Sequence, residues 1–123
     1  MLARTYRLRR SKDISQVYKR GRYSNGRGFA VKALKSNWPT SRAVIVVSRK
    51  TAKSAVVRNA IRRRLSGQLE QAWATVQPGY DIVISVREDI STVPAGDLSR
   101  ELLAQFKRLE LIDKDSHVSN HSD

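Results

Sequence analysis

Three arginines and one asparagine in the middle of the chain have the types and the spacing that suit a phosphate backbone. On a helical wheel they fall within an arc of roughly 140°, opposite Val57 and Ile61. They are Arg58, Asn59, Arg62 and Arg63. A guanidinium can donate to two phosphate oxygens at once, and the Asn amide can reach a 2′-hydroxyl or a base edge. We therefore predict a nucleic-acid contact on this face.

Further cations precede this segment, since Arg49, Lys50 and Lys53 lead directly into it. Arg64 falls on the apolar side of the wheel, where its stem would extend over the edge of the core. The alternative is a solvated basic helix face, because most runs of charge have no ligand. We favour a binding face, since the cations converge on one arc and like charges four residues apart destabilise a helix.

The charge of the whole chain is unevenly distributed. The net charge is +13 over 123 residues. Residues 1–64 contain 19 lysines and arginines and one acid, whereas residues 65–123 contain 5 and 10. Positive charges this dense repel one another, and proteins that retain them usually bind a polyanion. An anionic membrane and plain solubility are the alternatives, but membrane binding normally needs a free amphipathic helix. We expect a nucleic acid as the partner and no membrane.

Composition argues against several chemistries. The chain has no cysteine, which excludes disulfides and thiolates and fits a cytoplasmic location. No apolar run approaches the ~20 residues that cross a bilayer. A stand-alone nuclease needs clustered acids or a histidine base. His117 and His121 lie in a polar tail, and Asp81, Glu88 and Asp89 are interpreted as surface charge. We predict no catalytic residue, no metal site and no small-molecule substrate.

Apolar periodicity predicts three helices. After a basic arm over residues 1–10, the first helix begins at Ser11 and ends at Gly21. The second is capped by Ser54 and runs to about Val76. Its buried stripe is Val57, Ile61, Leu65, Leu69 and Trp73. The third begins within residues 94–97, and its inward residues are Leu98, Leu102, Phe106 and Leu109.

Three strands are predicted, over residues 29–34, 43–48 and 80–86. The second is apolar on both faces and is therefore expected to be central, in a hairpin with the first. Residues 22–28 are expected to be a glycine-rich loop. The order of elements indicates an α/β sandwich with helices packed on one sheet, and it allows a βαβ unit around the long helix. We expect one domain over residues 1–112 and a disordered polar tail over residues 113–123.

The basic segment also carries a family resemblance. Residues 48–65 read S-R-K-x-x-K-x-A-x-x-R-N-x-I-R-R-R-L, which resembles the signature of the protein subunit of bacterial ribonuclease P. The strings LRRSKDISQVYKRG, GFAVKAL with RAVIVVSRK, and YDIVISVR resemble the first helix and the three strands of that family. The resemblance covers about residues 4–112.

The resemblance implies a fold and a function. The family fold is an α/β (α+β) sandwich of about four strands and three helices, with a left-handed βαβ crossover like that of a ribosomal-protein domain. Without the resemblance, the general rule for βαβ units would favour the common right-handed crossover. The family function is accessory: the protein binds ribonuclease P RNA and the 5′ leader of precursor tRNA, while the RNA holds the catalytic Mg²⁺ and cuts the leader.

By position, the resemblance assigns RNA-facing roles to signature residues near the catalytic centre, which are Lys53, Arg58, Asn59, Arg62 and Arg63. It also implies a cleft between the first helix and the sheet for the single-stranded leader. Tyr18 matches an aromatic of that cleft, and Arg22, Phe29 and Lys32 are further candidates. Core packing remains the alternative for both Tyr18 and Phe29.

Four departures from the family pattern are visible. Ala60 replaces a usual arginine, and Ser66-Gly67 replaces a usual Arg-Glu, so the basic ridge is expected to end near Arg63. Ile14 and Lys32 stand where relatives have aromatic residues, so the cleft is expected to hold the leader more by charge than by stacking. A ribosomal or architectural RNA-binding protein is the rival assignment. It would share the charge but lack the signature.

Overall fold

The computed structural model describes residues 2–112, and within them it contains four strands, three α-helices and a 3₁₀ turn. The elements are α1 (Ser11–Arg20), β1 (Arg22–Asn25), β2 (Phe29–Lys35), β3 (Arg42–Val47), α2 (Ala55–Trp73), β4 (Tyr80–Val86) and α3 (Ala95–Arg108). The three predicted helices and three predicted strands are confirmed. The strand β1 occupies part of the segment predicted as a loop. The predicted tail, with its two histidines, lies outside the described residues.

The four strands form one sheet in the order β1-β2-β4-β3. The strand β4 is antiparallel to β2 and parallel to β3, so β3, α2 and β4 form the βαβ unit that the sequence allowed. The predicted hairpin between β2 and β3 is wrong, and β3 is an edge strand. The reason lies in the intervening loop, where Ser36 N donates to Gly79 O at 2.8 Å and Ser41 Oγ donates to Gln77 O at 2.5 Å. These bonds direct the chain past the start of β4.

The sheet is covered differently on its two faces. On one face α2 and α3 enclose the main core, which includes Phe29, Ile61, Ile82 and Phe106. The predicted inward residues of α2 and α3 all lie in or against this core. On the other face, Val17 of α1 and Leu8 of the N-terminal arm pack against Val83. Because α1 has ten residues, it leaves part of that face open.

The basic N-terminal arm is docked along the outer edge of β3. Leu8 N donates to Ala43 O at 3.0 Å, and Arg7 pairs with Ala43 in a parallel bridge. Leu2 and Leu8 are buried. These apolar residues, which alternate with arginines, therefore anchor the arm. The arm in turn covers the edge of β3, whose backbone groups would otherwise be unpaired.

A buried ion pair fixes the end of the sheet at which α1 begins. Arg42 donates to both carboxylate oxygens of Asp81, at 2.9 and 2.7 Å, and it also lies 3.6 Å from a carboxylate oxygen of Asp13 in α1. Trp38 stacks on the same guanidinium, 4.6 Å from the ring centroid. The interpretation of Asp81 as surface charge is wrong, because this carboxylate is buried and neutralised between the strands.

Two glycines in contrasting surroundings test the packing of α1. A Cβ at Gly21 would lie 2.5 Å from Val17 O and 3.1 Å from Ala33 O, so a side chain there would clash with the last turn of α1 and press against β2. A Cβ at Gly67, in the interior of α2, would meet nothing within 4 Å.

We expect Gly21→Ala to lower the free energy of unfolding by about 1–3 kcal/mol. The matched change Gly67→Ala should raise it by about 0.5–1 kcal/mol. Urea unfolding of both variants checks this, and equal effects would contradict the packing described here.

Candidate nucleic-acid interface

The basic face of α2 is positioned by a short segment, residues 48–54, that is bound to the end of β4. Thr51 Oγ1 donates to Val86 O at 3.0 Å. Ser54 Oγ accepts from Val57 N at 3.4 Å and caps the helix as predicted. Arg58 Nη1 donates to the carbonyl oxygens of Ala52 and Lys53, at 2.9 and 2.8 Å. Arg58 therefore fixes the first turn of α2 against the segment that leads into it.

The remaining cations of this face point away from the core. Six of the seven predicted residues are exposed: Arg49, Lys50, Lys53, Asn59, Arg62 and Arg63. Arg62 Nη1 donates to Asn59 Oδ1 at 3.0 Å, so these two side chains are aligned with each other. Within residues 2–112, the ion pairs with carboxylates belong to other arginines: Arg22, Arg42, Arg100 and Arg108. The basic face keeps its charge.

Arg64 differs from its neighbours. Its guanidinium donates to three backbone carbonyls of one loop, at 3.2 Å to Ile90, 2.5 Å to Ser91 and 2.5 Å to Val93. This agrees with the prediction that Arg64 extends over the core edge. Arg64 holds the loop between β4 and α3 against α2, and both of its terminal nitrogens already donate to carbonyls.

The docked arm enlarges the basic surface. A groove of about 600 Å³ lies between the arm and α2, beside the edge of β3. Its guanidinium-bearing residues are Arg7, Arg9, Arg62 and Arg63, and its apolar residues include Leu8, Ile45 and Leu69. Arg7 Nε also donates to Leu2 O at 2.9 Å, which holds the arm in its turn. Positive charge is thus contributed by two separate segments to one surface.

Part of the sheet face beside α1 is open, and the predicted cleft would lie there. Tyr18 is 41% exposed, and its hydroxyl lies 3.1 Å from Ser85 Oγ in β4. Lys32 Nζ donates to Tyr18 O at 3.1 Å and lies 5.2 Å from the centroid of the Tyr18 ring. The core-packing alternative for Tyr18 is therefore wrong. Its ring lies on the cleft surface beside a cation.

Two of the four cleft candidates lie elsewhere. Phe29 is fully buried in the core on the α2–α3 face of the sheet, so it presents no ring to the cleft. Arg22 pairs in register with Ala33, whose side chain lies on that same core face. Its guanidinium donates to Leu109 O and lies 3.3 Å from Glu110 Oε1, at the end of α3. Both assignments to the cleft are therefore wrong.

The sequence model of the family described as ribonuclease P matches residues 2–110. The ribonuclease P protein component of a Cyanothece species is 38% identical, covering 71% of this chain and 79% of that one. The corresponding Pseudanabaena protein is 35% identical, covering 89% and 97%. The chain belongs to the ribonuclease P protein family.

Solved structures of ribonuclease P proteins have the same architecture. The protein from Thermotoga maritima superimposes with a TM-score of 0.74 at 29% identity, covering 83% of this chain and 96% of that one. The protein from Staphylococcus aureus gives a TM-score of 0.77 at 23% identity, covering 88% and 98%. The four-stranded mixed sheet with three helices, which the resemblance implied, is confirmed.

Sequence reasoning missed two residues on the open sheet face of this ribonuclease P family member. Tyr23, in β1, pairs in register with Lys32 and is 48% exposed. Arg87, one residue after β4, lies with its guanidinium carbon 5.8 Å from the centroid of the Tyr23 ring. The strand β1 was not predicted. When residues 22–28 are interpreted as a loop, no strand pairing places Tyr23 opposite Lys32.

The acidic residues of the described part of this ribonuclease P protein do not gather into a metal centre. No three histidine, cysteine, aspartate or glutamate side chains within residues 2–112 lie together as metal ligands would. Asp89 accepts a hydrogen bond from Ser91 N at 2.9 Å, and hydrogen bonds from Ser91 lower the pKa of Asp89. In the same part of the chain, no helix is long and apolar enough to cross a membrane.

Proposed function

We propose that this chain binds the catalytic RNA of ribonuclease P through the basic face of α2, and that it holds the 5′ leader of precursor tRNA in the cleft beside α1. The observation that carries this proposal is the set of exposed guanidinium groups on α2 that no carboxylate of residues 2–112 neutralises. The RNA performs the cleavage in this proposal, and the protein is its accessory subunit.

The geometry of α2 supports contact with a folded RNA. Arg62 and Arg63 are exposed on a helix whose start is fixed by Arg58 and Ser54, so the cations lie on a rigid support. Asn59 accepts from Arg62, which leaves the amide of Asn59 free to donate to a ribose or base. Arg7 and Arg9 extend the same surface across the groove. A folded RNA backbone would match this charge over two segments.

The cleft supports contact with a single strand. Single-strand sites combine aromatic rings on which bases stack with cations along the backbone. Tyr18 supplies a ring and Lys32 supplies a cation within 5.2 Å of its centroid. With Ile14 half-buried against Val17 and its neighbours, α1 offers one aromatic residue here. We infer that the cleft relies on charge to an unusual degree for its family.

The two surfaces adjoin each other at the end of β4. Ser85 contacts the Tyr18 hydroxyl, and the next residue, Val86, accepts from Thr51 in the segment that leads into α2. A leader lying in the cleft would therefore pass close to RNA held on α2. This supports one ligand assembly, in which the substrate leader and the catalytic RNA meet at the protein surface.

Mg²⁺ is assigned to the RNA subunit in this proposal. The carboxylates of residues 2–112 do not gather into a metal-binding set, and the residues at the interface are cations. Cations at the RNA surface would neutralise phosphate repulsion, and less free Mg²⁺ would then be needed for the RNA to fold and bind substrate. The site of action would be the cytoplasm, where bacterial tRNA is made.

Arg62→Ala should weaken binding to ribonuclease P RNA, since it removes one phosphate contact. The slope of log K against log salt concentration should decrease in magnitude by about one. Filter binding over a range of salt concentrations measures this. The matched control is Arg64→Ala, whose guanidinium is occupied by backbone carbonyls: it should lower thermal stability and leave the salt slope intact. An unchanged slope in Arg62→Ala would remove that residue from the interface.

Tyr18→Ala should reduce the preference of the reconstituted enzyme for precursor over mature tRNA, because it removes a stacking surface. We expect roughly a tenfold loss in affinity for precursor tRNA and no loss for mature tRNA. Equilibrium binding of both RNAs provides the measurement. Tyr18→Phe keeps the ring and loses only the hydroxyl near Ser85, so it should retain most of the preference. Full preference in the alanine variant would show that the leader does not contact Tyr18.

A further inference from the structure

The β1 side of the cleft carries an exposed aromatic ring that the proposed function does not use. Tyr23 is 48% exposed, although it lies in a strand of the sheet. Its neighbour Ser24 is buried, and Arg22 reaches the end of α3, so the strand alternates with Tyr23 on the cleft face. Tyr23 belongs to neither apolar cluster of the described residues. Core packing therefore does not account for this ring.

Cations flank the Tyr23 ring. Lys32 Nζ lies 5.7 Å from its centroid, and the Arg87 guanidinium carbon lies 5.8 Å from it. The same Lys32 nitrogen lies 5.2 Å from the Tyr18 centroid. One ammonium group is thus shared by two half-exposed rings, one from α1 and one from β1. Rings and cations alternate across the cleft in the order Tyr18, Lys32, Tyr23 and Arg87.

This arrangement has the chemistry of a single-strand nucleic-acid site with two stacking positions. An exposed ring offers a base a surface that tolerates any sequence, and a cation beside it can contact a phosphate. The register explains how the second ring arises, since Tyr23 lies directly across the ladder from Lys32. Tyr23 therefore adds an aromatic surface beside Lys32 from the neighbouring strand.

We propose that Tyr23 is a second base-stacking residue of the cleft, contacting a leader nucleotide different from the one on Tyr18, with Lys32 and Arg87 contacting the backbone phosphates beside it. This rests on the proposed leader-binding function and adds a subsite to it. The two rings share one cation, so their subsites lie close together. Tyr23 acts in substrate positioning and takes no part in the cleavage reaction.

The test uses the holoenzyme reconstituted with ribonuclease P RNA and a series of precursor tRNAs whose leaders are shortened one nucleotide at a time. Tyr23→Ala should weaken binding of the longest precursor by roughly five- to a hundredfold and leave mature tRNA unaffected. The Tyr23 effect should disappear at a different leader length from the Tyr18→Ala effect. Loss of both effects at the same length would contradict a separate subsite.

A matched control comes from the opposite end of the sheet. Trp38 is also about half exposed and also stacks on an arginine, but it lies beside the Arg42–Asp81 pair, away from the cleft. Trp38→Ala should leave the preference for precursor tRNA unchanged. Tyr23→Phe should retain it and Tyr23→Leu should lose it, because leucine keeps apolar bulk without a stacking ring. A Tyr23→Leu variant that binds like the parent protein would overturn the proposal.

Photocrosslinking gives a direct second readout. Precursor tRNA carrying 4-thiouridine at single leader positions should crosslink to the β1 peptide at one position and to the α1 peptide at another. The outcomes separate the two levels of the proposal. If the parent holoenzyme shows no preference for precursor tRNA, leader binding itself fails. If it shows a preference that Tyr18→Ala reduces and Tyr23→Ala does not, only the second subsite fails.

Discussion

The structure depends on positive charge that is held in place and left unneutralised. A helix with arginines at adjacent turns repels itself, and a chain can relieve that repulsion by supplying its own carboxylates. The ion pairs seen within residues 2–112 involve other arginines, as in the Arg42–Asp81 pair. The arginines of α2 divide into two kinds. Arg58 and Arg64 are committed to backbone carbonyls, and Arg62 and Arg63 remain exposed. The first pair provides the rigidity that lets the second pair meet an external anion.

The central strand β4 organises the binding surfaces around this charge. Successive residues with side chains on the α1 face contact different elements: Asp81 binds Arg42, Val83 packs against Val17, and Ser85 meets the Tyr18 hydroxyl. At the end of the strand, Val86 O accepts from Thr51 and fixes the approach to α2. One strand thus sets the position of the cleft and of the basic helix. The distance between leader and catalytic RNA would be determined by the sheet rather than by a mobile loop.

Much of this fold could be predicted from local sequence patterns. The every-fourth-residue stripe from Val57 to Trp73 and the Ser54 cap placed α2 correctly, because amphipathic periodicity and capping are local properties. Pairing of strands is not local. The apolar run of β3 fits a central strand, yet the docked arm covers its outer edge and β4 takes the centre. A hairpin is the simplest connection between two strands that follow each other in the chain. Only tertiary hydrogen bonds, such as that from Ser41 to Gln77, show that this loop does not form a hairpin.

At the candidate site, too, local features could be predicted and features that depend on strand pairing could not. The wheel identified the exposed arginines of α2 and separated Arg64 from them, since direction on a helix follows from spacing alone. In the cleft, Phe29 and Arg22 were misplaced because the face of a strand residue depends on which face of the sheet α1 covers. Tyr23 was missed because its strand is four residues long and contains a polar sequence. The family resemblance predicted a cleft beside α1, and the register of β1 and β2 places Tyr23 opposite Lys32 there.

The central claim is that the exposed guanidinium groups of α2 exist to neutralise the backbone of a catalytic RNA. The most direct measurement is the Mg²⁺ dependence of precursor tRNA cleavage by a bacterial ribonuclease P RNA, with and without this protein. The account predicts that the protein shifts the half-maximal Mg²⁺ concentration downward, and that replacing Arg62 and Arg63 together by glutamine removes most of that shift. An identical Mg²⁺ requirement in the presence and absence of the protein would contradict it.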